Sequence, residues 1–273
     1  MDKPILVTGG TGTLGRLVVA CLREAGRDVR VLSRHGGAAE ADVAVEFVTG
    51  DLATGAGVEA AVDGIEVIVH CAGGRVGDDD TTRNLVRAAS RAGARHLVYI
   101  SVVGADQIPV RSRIDRAMFG YFESKLAAEQ VVTGSGIPWT TLRATQFQQS
   151  FLAVARGMAK LPVIPVPGGF RFQPIDAREV AARLAELALD EPAGLVPEIG
   201  GPRVLGMGEL IRIYLQATHR RRLMVSVPTI GGAAAALRAG ANLTPDRALG
   251  RTTWEDFVAE RVGPAGEMSP GPA

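Results

Sequence analysis

The run Thr8-Gly9-Gly10-Thr11-Gly12-Thr13-Leu14-Gly15 lies between a short apolar stretch, Ile5 to Thr8, and an amphipathic stretch of helical length, Leu14 to Ala25. A chain that turns on glycines between a strand and a helix is committed to a βα unit with a particular job at its junction. Gly9 permits the tight turn, Gly12 lets backbone come close to a diphosphate, and Gly15 allows the helix to pack tightly against the strand. The first N–H groups of the helix, around Thr11, Thr13 and Leu14, then face the anion.

The same alternation continues downstream. Short β-rich runs at Val29 to Ser33, Val45 to Val48, Val67 to Cys71, His96 to Ser101 and Trp139 to Arg143 are separated by helical stretches near Gly57 to Val62, Asp80 to Ala92 and Phe122 to Thr133. Successive βαβ units predict an α/β fold, a doubly wound, Rossmann-like parallel sheet over residues 1–150 with ligands at the carboxyl ends of its strands. Pro162, Pro165, Pro167 and the Gly168-Gly169 pair break up Leu161 to Arg171, so residues 151–175 and 201–262 are expected to form a small discontinuous C-terminal substrate lobe. Asp176 to Leu189 reads as a helix and Leu195 to Ile199 as a strand, both within a 176–200 segment that returns to the sheet. Leu223 to Val227 reads as a strand within the lobe. The Pro- and Gly-rich tail, 263–273, is expected to be disordered.

With 273 residues, 47 % hydrophobic and 22 % charged, the chain has ample core. Its formal charge of +1 with scattered arginines lacks the basic stripe of a nucleic-acid binder, so no nucleic-acid partner is expected. Two cysteines, Cys21 and Cys71, offer neither a disulfide framework nor metal-ligand spacing, and no metal site is expected. No secretion signal opens the chain and no apolar window is long enough to span a bilayer. These features predict a cytoplasmic protein with no membrane partner, acting on a small molecule.

The second strand's end indicates which dinucleotide fits. An acid about 20 residues past the loop would hold the ribose 2′-hydroxyl of NAD, but this chain has Ser33-Arg34-His35 there, with Asp28 and Glu40 placed elsewhere. Arg34 can pair with a 2′-phosphate and Ser33 can add a donor, so NADP(H) is expected in preference to NAD(H); a solvated loop is the alternative reading for Arg34. Asp51 and Leu52 follow the third strand, where the carboxylate suits the adenine amino group or a helix cap. Cys71, Ala72 and Gly73 follow the fourth, where small residues admit the adenosine half.

Tyr121 and Lys125, four apart on a predicted helix, share one face. Ionising a phenol at neutral pH costs about 4 kcal/mol, and a neighbouring ammonium reduces that. Tyr121 is therefore the candidate proton donor, with Lys125 supporting it and binding the nicotinamide ribose. Ser101, ending the fifth strand, is placed to polarise the same substrate oxygen. Asn84 reads as an ordinary polar helix residue.

The glycine loop, Val98 to Gly104, the Tyr121/Lys125 pair with Leu126 to Glu129, and Pro138 to Arg143 resemble the short-chain dehydrogenase/reductase superfamily, and within it the atypical, NmrA-like NAD(P)-binding branch. The match covers the first 150 residues, with weaker extensions at Gln173 to Asp176 and Thr253 to Phe257. The chain departs from the family in the longer separation of Ser101 and Tyr121, filled by a basic loop at Ile108 to Met118. It departs again at Arg143-Ala144-Thr145-Gln146-Phe147, where a Pro-Gly pair is usual. Gln146 and Phe147 are substrate-contact candidates by position, as is Phe151. The resemblance implies an NADPH-dependent oxidoreductase of a small carbonyl or quinone; a nucleotide-sensing regulator and a nucleotide-sugar epimerase are the other activities it allows.

Overall fold

The computed structural model describes residues 3–36, 45–74 and 77–262. Glu40 and the 263–273 tail lie outside the described residues. The predicted alternation is present as β1 Ile5–Thr8, α1 Gly15–Glu24, β2 Val29–Ser33, β3 Val45–Thr49, α2 Val58–Val62, β4 Val67–His70, α3 Asp78–Arg91, β5 His96–Val102, α4 Arg113–Thr133 and β6 Trp139–Ala144. It continues through α5 Gln148–Met158, β7 Val163–Pro167, β8 Arg171–Phe172, α6 Ala177–Leu189, β9 Gly194–Leu195, β10 Leu205–Gly206, α7 Met207–Ala217, β11 Leu223–Val227, α8 Gly232–Ala239 and α9 Trp254–Val262.

Seven strands form one parallel sheet in the order β3-β2-β1-β4-β5-β6-β9. Strand order reverses between β1 and β4, which opens a crevice beyond their carboxyl ends. Val18 and Leu22 of α1 join Val180, Ala181 and Leu184 of α6 over one face of the sheet. Val58 and Ala61 of α2, Leu85 and Ala89 of α3, and Ala128 and Val132 of α4 cover the other. A third apolar cluster joins α5, α7 and α9 around Phe151, Tyr214, Trp254 and Phe257. These buried stripes, rather than helix propensity, hold the short helices in place.

Two expectations need correction. The segment expected to be a basic loop, Ile108 to Met118, is helical from Arg113. Ser112 accepts from Asp115 N–H while the Asp115 carboxylate accepts from Ser112 N–H, a capping box that starts the helix early. Tyr121 therefore sits in the third turn of α4, not near its start. The strand expected at Leu195 to Ile199 is only the two-residue β9, followed by a single bridge from Ile199 to Ala144; Pro197 has no N–H for the ladder.

Candidate active site

The glycine loop is fixed by backbone crowding. Gly9 has φ +68°, and a Cβ there would lie 2.7 Å from the Ala72 nitrogen; a Cβ on Gly15 would lie 2.1 Å from the Gly9 carbonyl oxygen. Both positions are barred to other residues by the fold itself. Gly12 differs, since its nearest neighbour would be the Gly9 oxygen at 3.2 Å, and it faces open space on its other sides.

That space is a groove made of two adjoining cavities of about 480 Å³ each, which share Gly9, Gly12, Cys71 and Gly73. One is walled by Thr11, Ser33, Arg34, Asp51, Leu52, Ala72 and Gly74. The other is walled by Thr13, Leu14, Gly15, Ser101, Tyr121, Lys125 and Gln146. No side chain caps the start of α1 at Leu14, so no side-chain cap competes there with a ligand for the first N–H groups of the helix; within the loop the Gly12 N–H donates to the Gly9 carbonyl at 2.9 Å.

In the first half, Arg34 is exposed at the rim and Ser33 is buried. The Asp51 carboxylate accepts from Ala53 N–H at 2.9 Å; it closes its own turn, and Gly57, not Asp51, precedes α2. Asn84 donates to the Leu52 carbonyl at 2.8 Å, so this polar helix residue ties the Asp51-Leu52 turn to α3. Cys71 lies one residue past β4, at the floor shared by both cavities, and burial pushes its thiol up to about 12, which keeps it an unreactive thiol.

The second half is more ordered than the sequence suggested. Alternation along β5 puts Tyr99 and Ser101 on the same face of the sheet, the face covered by α4. Lys125 enters from α4, and its Nζ donates to the Tyr99 hydroxyl at 3.3 Å and to the Ile100 carbonyl at 3.2 Å. It also lies 3.1 Å from Asp78 Oδ2 in a buried ion pair. Asp78 is positioned by its own contacts: its Oδ1 accepts from Gly74 N–H at 2.6 Å and its N–H donates to Ser124 Oγ at 3.1 Å. Burial disfavours the Lys125 ammonium, yet Tyr99, Tyr121 and Asp78 outweigh that and hold its pKa above the ordinary lysine value.

Tyr121 keeps 37 % of its surface exposed toward the groove, and its ring lies 5.8 Å from Lys125 Nζ. The surrounding protein still desolvates the phenol enough to raise its pKa; Lys125 pulls the other way, as expected, but Asp78 opposes it. Lys125 thus lowers the cost of ionising the phenol, as the Tyr/Lys spacing predicts, and burial outweighs it. Ser101 Oγ and both polar atoms of Gln146 are buried without a hydrogen-bond partner among the described residues, and both residues wall this cavity. Unpaired buried polar groups are costly, so a polar group entering the cavity would find favourable partners in Ser101 and Gln146.

The other candidates are placed as follows. Phe147 walls the cavity with Ser150. Phe151 does not: it is 8 % exposed and packs edge-on against Phe172 and Trp254 in the third apolar cluster. Arg143 faces away, held by Glu129 at 2.9 and 2.8 Å and by Asp106 at 3.0 Å. Sequence reasoning missed Asp78 and Tyr99. The helix was expected to begin at Asp80, which left Asp78 outside it, and Tyr99 stood inside an expected strand, so neither carried a site signal of its own.

The fold and the groove define a dinucleotide-binding protein, and comparison with known proteins agrees. A model of the NAD(P)H-binding family matches residues 9–190, and the chain belongs to that family. It is 30 % identical over 204 residues to the (4-alkanoyl-5-oxo-2,5-dihydrofuran-3-yl)methyl phosphate reductase of Streptomyces griseus, covering 74 % of this chain and 69 % of that one. It is 32 % identical over 223 residues to an NAD(P)H azoreductase of Xenophilus azovorans, covering 79 % and 74 %. The fold is shared with the NADPH-dependent quinone oxidoreductase of Escherichia coli solved with NADPH, at TM-score 0.77 and 19 % identity over 94 % of this chain and 99 % of that one. The family, the parallel sheet and the glycine loop together make a nicotinamide dinucleotide the cofactor class, as the resemblance read from the sequence implied.

Proposed function

We propose that this protein is an NADPH-dependent reductase of a small organic carbonyl or quinone, with Tyr121 as the proton donor. The observation that carries this reading is that one cavity collects Tyr121, Lys125, the unpartnered Ser101 hydroxyl and the unpartnered Gln146 amide, next to a groove whose Gly12 leaves room for a diphosphate. Arg34 and Ser33 would hold the 2′-phosphate, Asp51 and Leu52 the adenine end, and Lys125 the nicotinamide ribose. When bound, the reduced nicotinamide supplies the hydride. Ser101 donates a hydrogen bond to the substrate oxygen and orients it, while Gln146 fixes a second polar group. Tyr121, its pKa raised, is a neutral phenol at physiological pH and gives its proton to that oxygen as negative charge develops there. The reductive direction requires the enzyme to begin as an acid, and the protonated phenol meets that requirement. The reductases among its relatives support the same direction.

The test is a panel of quinones, ketones, aldehydes and azo compounds assayed for NADPH oxidation, followed by Tyr121→Phe on any substrate found. That variant should keep NADPH affinity and lose turnover by roughly 10²- to 10⁴-fold, the range for one general acid. Unchanged turnover in Tyr121→Phe removes the proton-donor role. Tight NADP⁺ binding without turnover of any compound favours a nucleotide sensor instead.

A further inference from the structure

Far from the groove in sequence, β7 and β11 pair as a two-stranded parallel sheet with Leu223 beside Val163, Val225 beside Pro165 and Val227 beside Pro167. Alternation puts those six residues on one face. The opposite face is the packed one, since Ile164 is 0 % exposed in the third apolar cluster, with Val166 and Met224 against it. The outward face carries no polar side chain, and Leu223, Val225 and Val163 are 64 %, 44 % and 43 % exposed, with Leu161 at 43 % alongside. A soluble surface seldom leaves so uniform an apolar face open without a use.

Charge marks the same place. At the start of both strands, Lys160, Arg221 and Arg222 surround a shallow depression with Pro162 and Leu223, and His219 and Arg220 precede them in the chain, both exposed. Residues 130–175 and 210–245, which supply both strands, carry nine of the chain's 30 Lys and Arg and none of its 29 Asp and Glu. None of these cations has an acid in its own segment, and Arg143 is paired inward with Glu129 just outside it. Lys160, Arg221 and Arg222, with Arg220 beside them in the chain, thus put basic charge at one end of the apolar face.

We infer that this face docks on an anionic lipid bilayer, the aliphatic side chains entering the headgroup boundary and the basic cluster meeting the lipid phosphates. An apolar patch flanked by Lys and Arg is what interfacial binding requires. A protein partner is less well served: the outward face carries no aromatic side chain of the kind around which protein interfaces concentrate their energy. Among the described residues no helix can cross a membrane; that feature, on which the expectation of no membrane partner rested, says nothing about a surface patch.

Flotation of the full chain with phosphatidylcholine vesicles, with and without phosphatidylglycerol, tests this. Binding is expected only with phosphatidylglycerol present, weakening as salt is raised. Arg220→Glu/Arg221→Glu should reduce it about tenfold or more. Leu223→Glu/Val225→Glu should abolish it, with circular dichroism and the unfolding midpoint showing whether that variant is folded; the arginine variant, altered only at exposed side chains, decides the matter if it is not. The inference is overturned if the wild-type chain stays off anionic vesicles or the arginine variant floats like wild type. It is equally overturned if the chain sediments as a dimer that Leu223→Glu/Val225→Glu converts to monomer.

Discussion

Lys125 Nζ and Asp78 Oδ2 lie 3.1 Å apart with their side chains only 5 % and 3 % exposed, so the lysine proposed to hold the cofactor is already paired beneath the groove. Removing one partner strands the other charge in a poorly solvated place. Asp78→Asn should therefore cost about 3–5 kcal/mol of stability, and Asp78→Asn/Lys125→Met should cost less than the two single changes added together. Urea unfolding measures both; a loss under about 1 kcal/mol would mean the pair is effectively solvated. Because Asp78 helps raise the Tyr121 pKa, Asp78→Asn should also lower it, which a spectrophotometric titration against Tyr121→Phe can read.

The proposed cofactor preference rests on one exposed side chain. Arg34 stands at the rim of the first cavity beside the buried Ser33, where a 2′-phosphate would gain charge-assisted hydrogen bonds. The wild-type protein should bind NADPH more tightly than NADH, and Arg34→Asp should reverse the order. Calorimetry on both proteins checks it, and equal wild-type affinities would discard the assignment.

The three loop glycines should not behave alike. Gly15→Ala would press a Cβ to 2.1 Å from the Gly9 oxygen and should destabilise the whole chain. Gly12→Val needs only a small adjustment against a 3.2 Å neighbour but would fill the path of the diphosphate, so it should remain folded and lose dinucleotide binding. If Gly12→Val binds NADPH normally, the groove is not where the dinucleotide lies.

The central sheet was legible because buried parallel strands are written as short apolar runs between amphipathic stretches, and every strand from Ile5 to Ala144 formed near its expected place. Local chemistry that competes with pattern was harder to read. The Ser112/Asp115 capping box extended α4 through residues whose charge suggested a loop, and Pro197 cut short an apolar run that suggested a longer strand. Ser101, Tyr121 and Lys125, tied to a strand end and to helix spacing, were expected together, and they do line one cavity. Asp78 and Tyr99 were not, because their meeting with Lys125 depends on how α3 and α4 pack together, which no local spacing encodes.

His70 offers a test of the buried polar layer below the groove. It is 0 % exposed, stacks on Tyr99 at 5.4 Å, and pairs through Nδ1 with Thr8 Oγ1 at 2.7 Å and through Nε2 with Thr82 Oγ1 at 3.0 Å. A neutral imidazole can donate to one threonine and accept from the other, whereas an imidazolium cannot accept. Burial, with Lys125 nearby, pushes its pKa down to about 3. The unfolded chain takes up this proton below about 6.5 and the folded chain does not, so acid favours unfolding; stability is intact above about 6.5 and falls as the pH drops toward 3. Between pH 6.5 and 5, above the range where carboxylates titrate most strongly, this histidine should remove about 1.6 kcal/mol. His70→Gln can still bond both threonines but does not titrate, so its urea midpoints should decline less over that interval. If the two proteins lose stability in parallel, His70 is protonated in the folded state, and the neutral buried layer assigned to it does not exist.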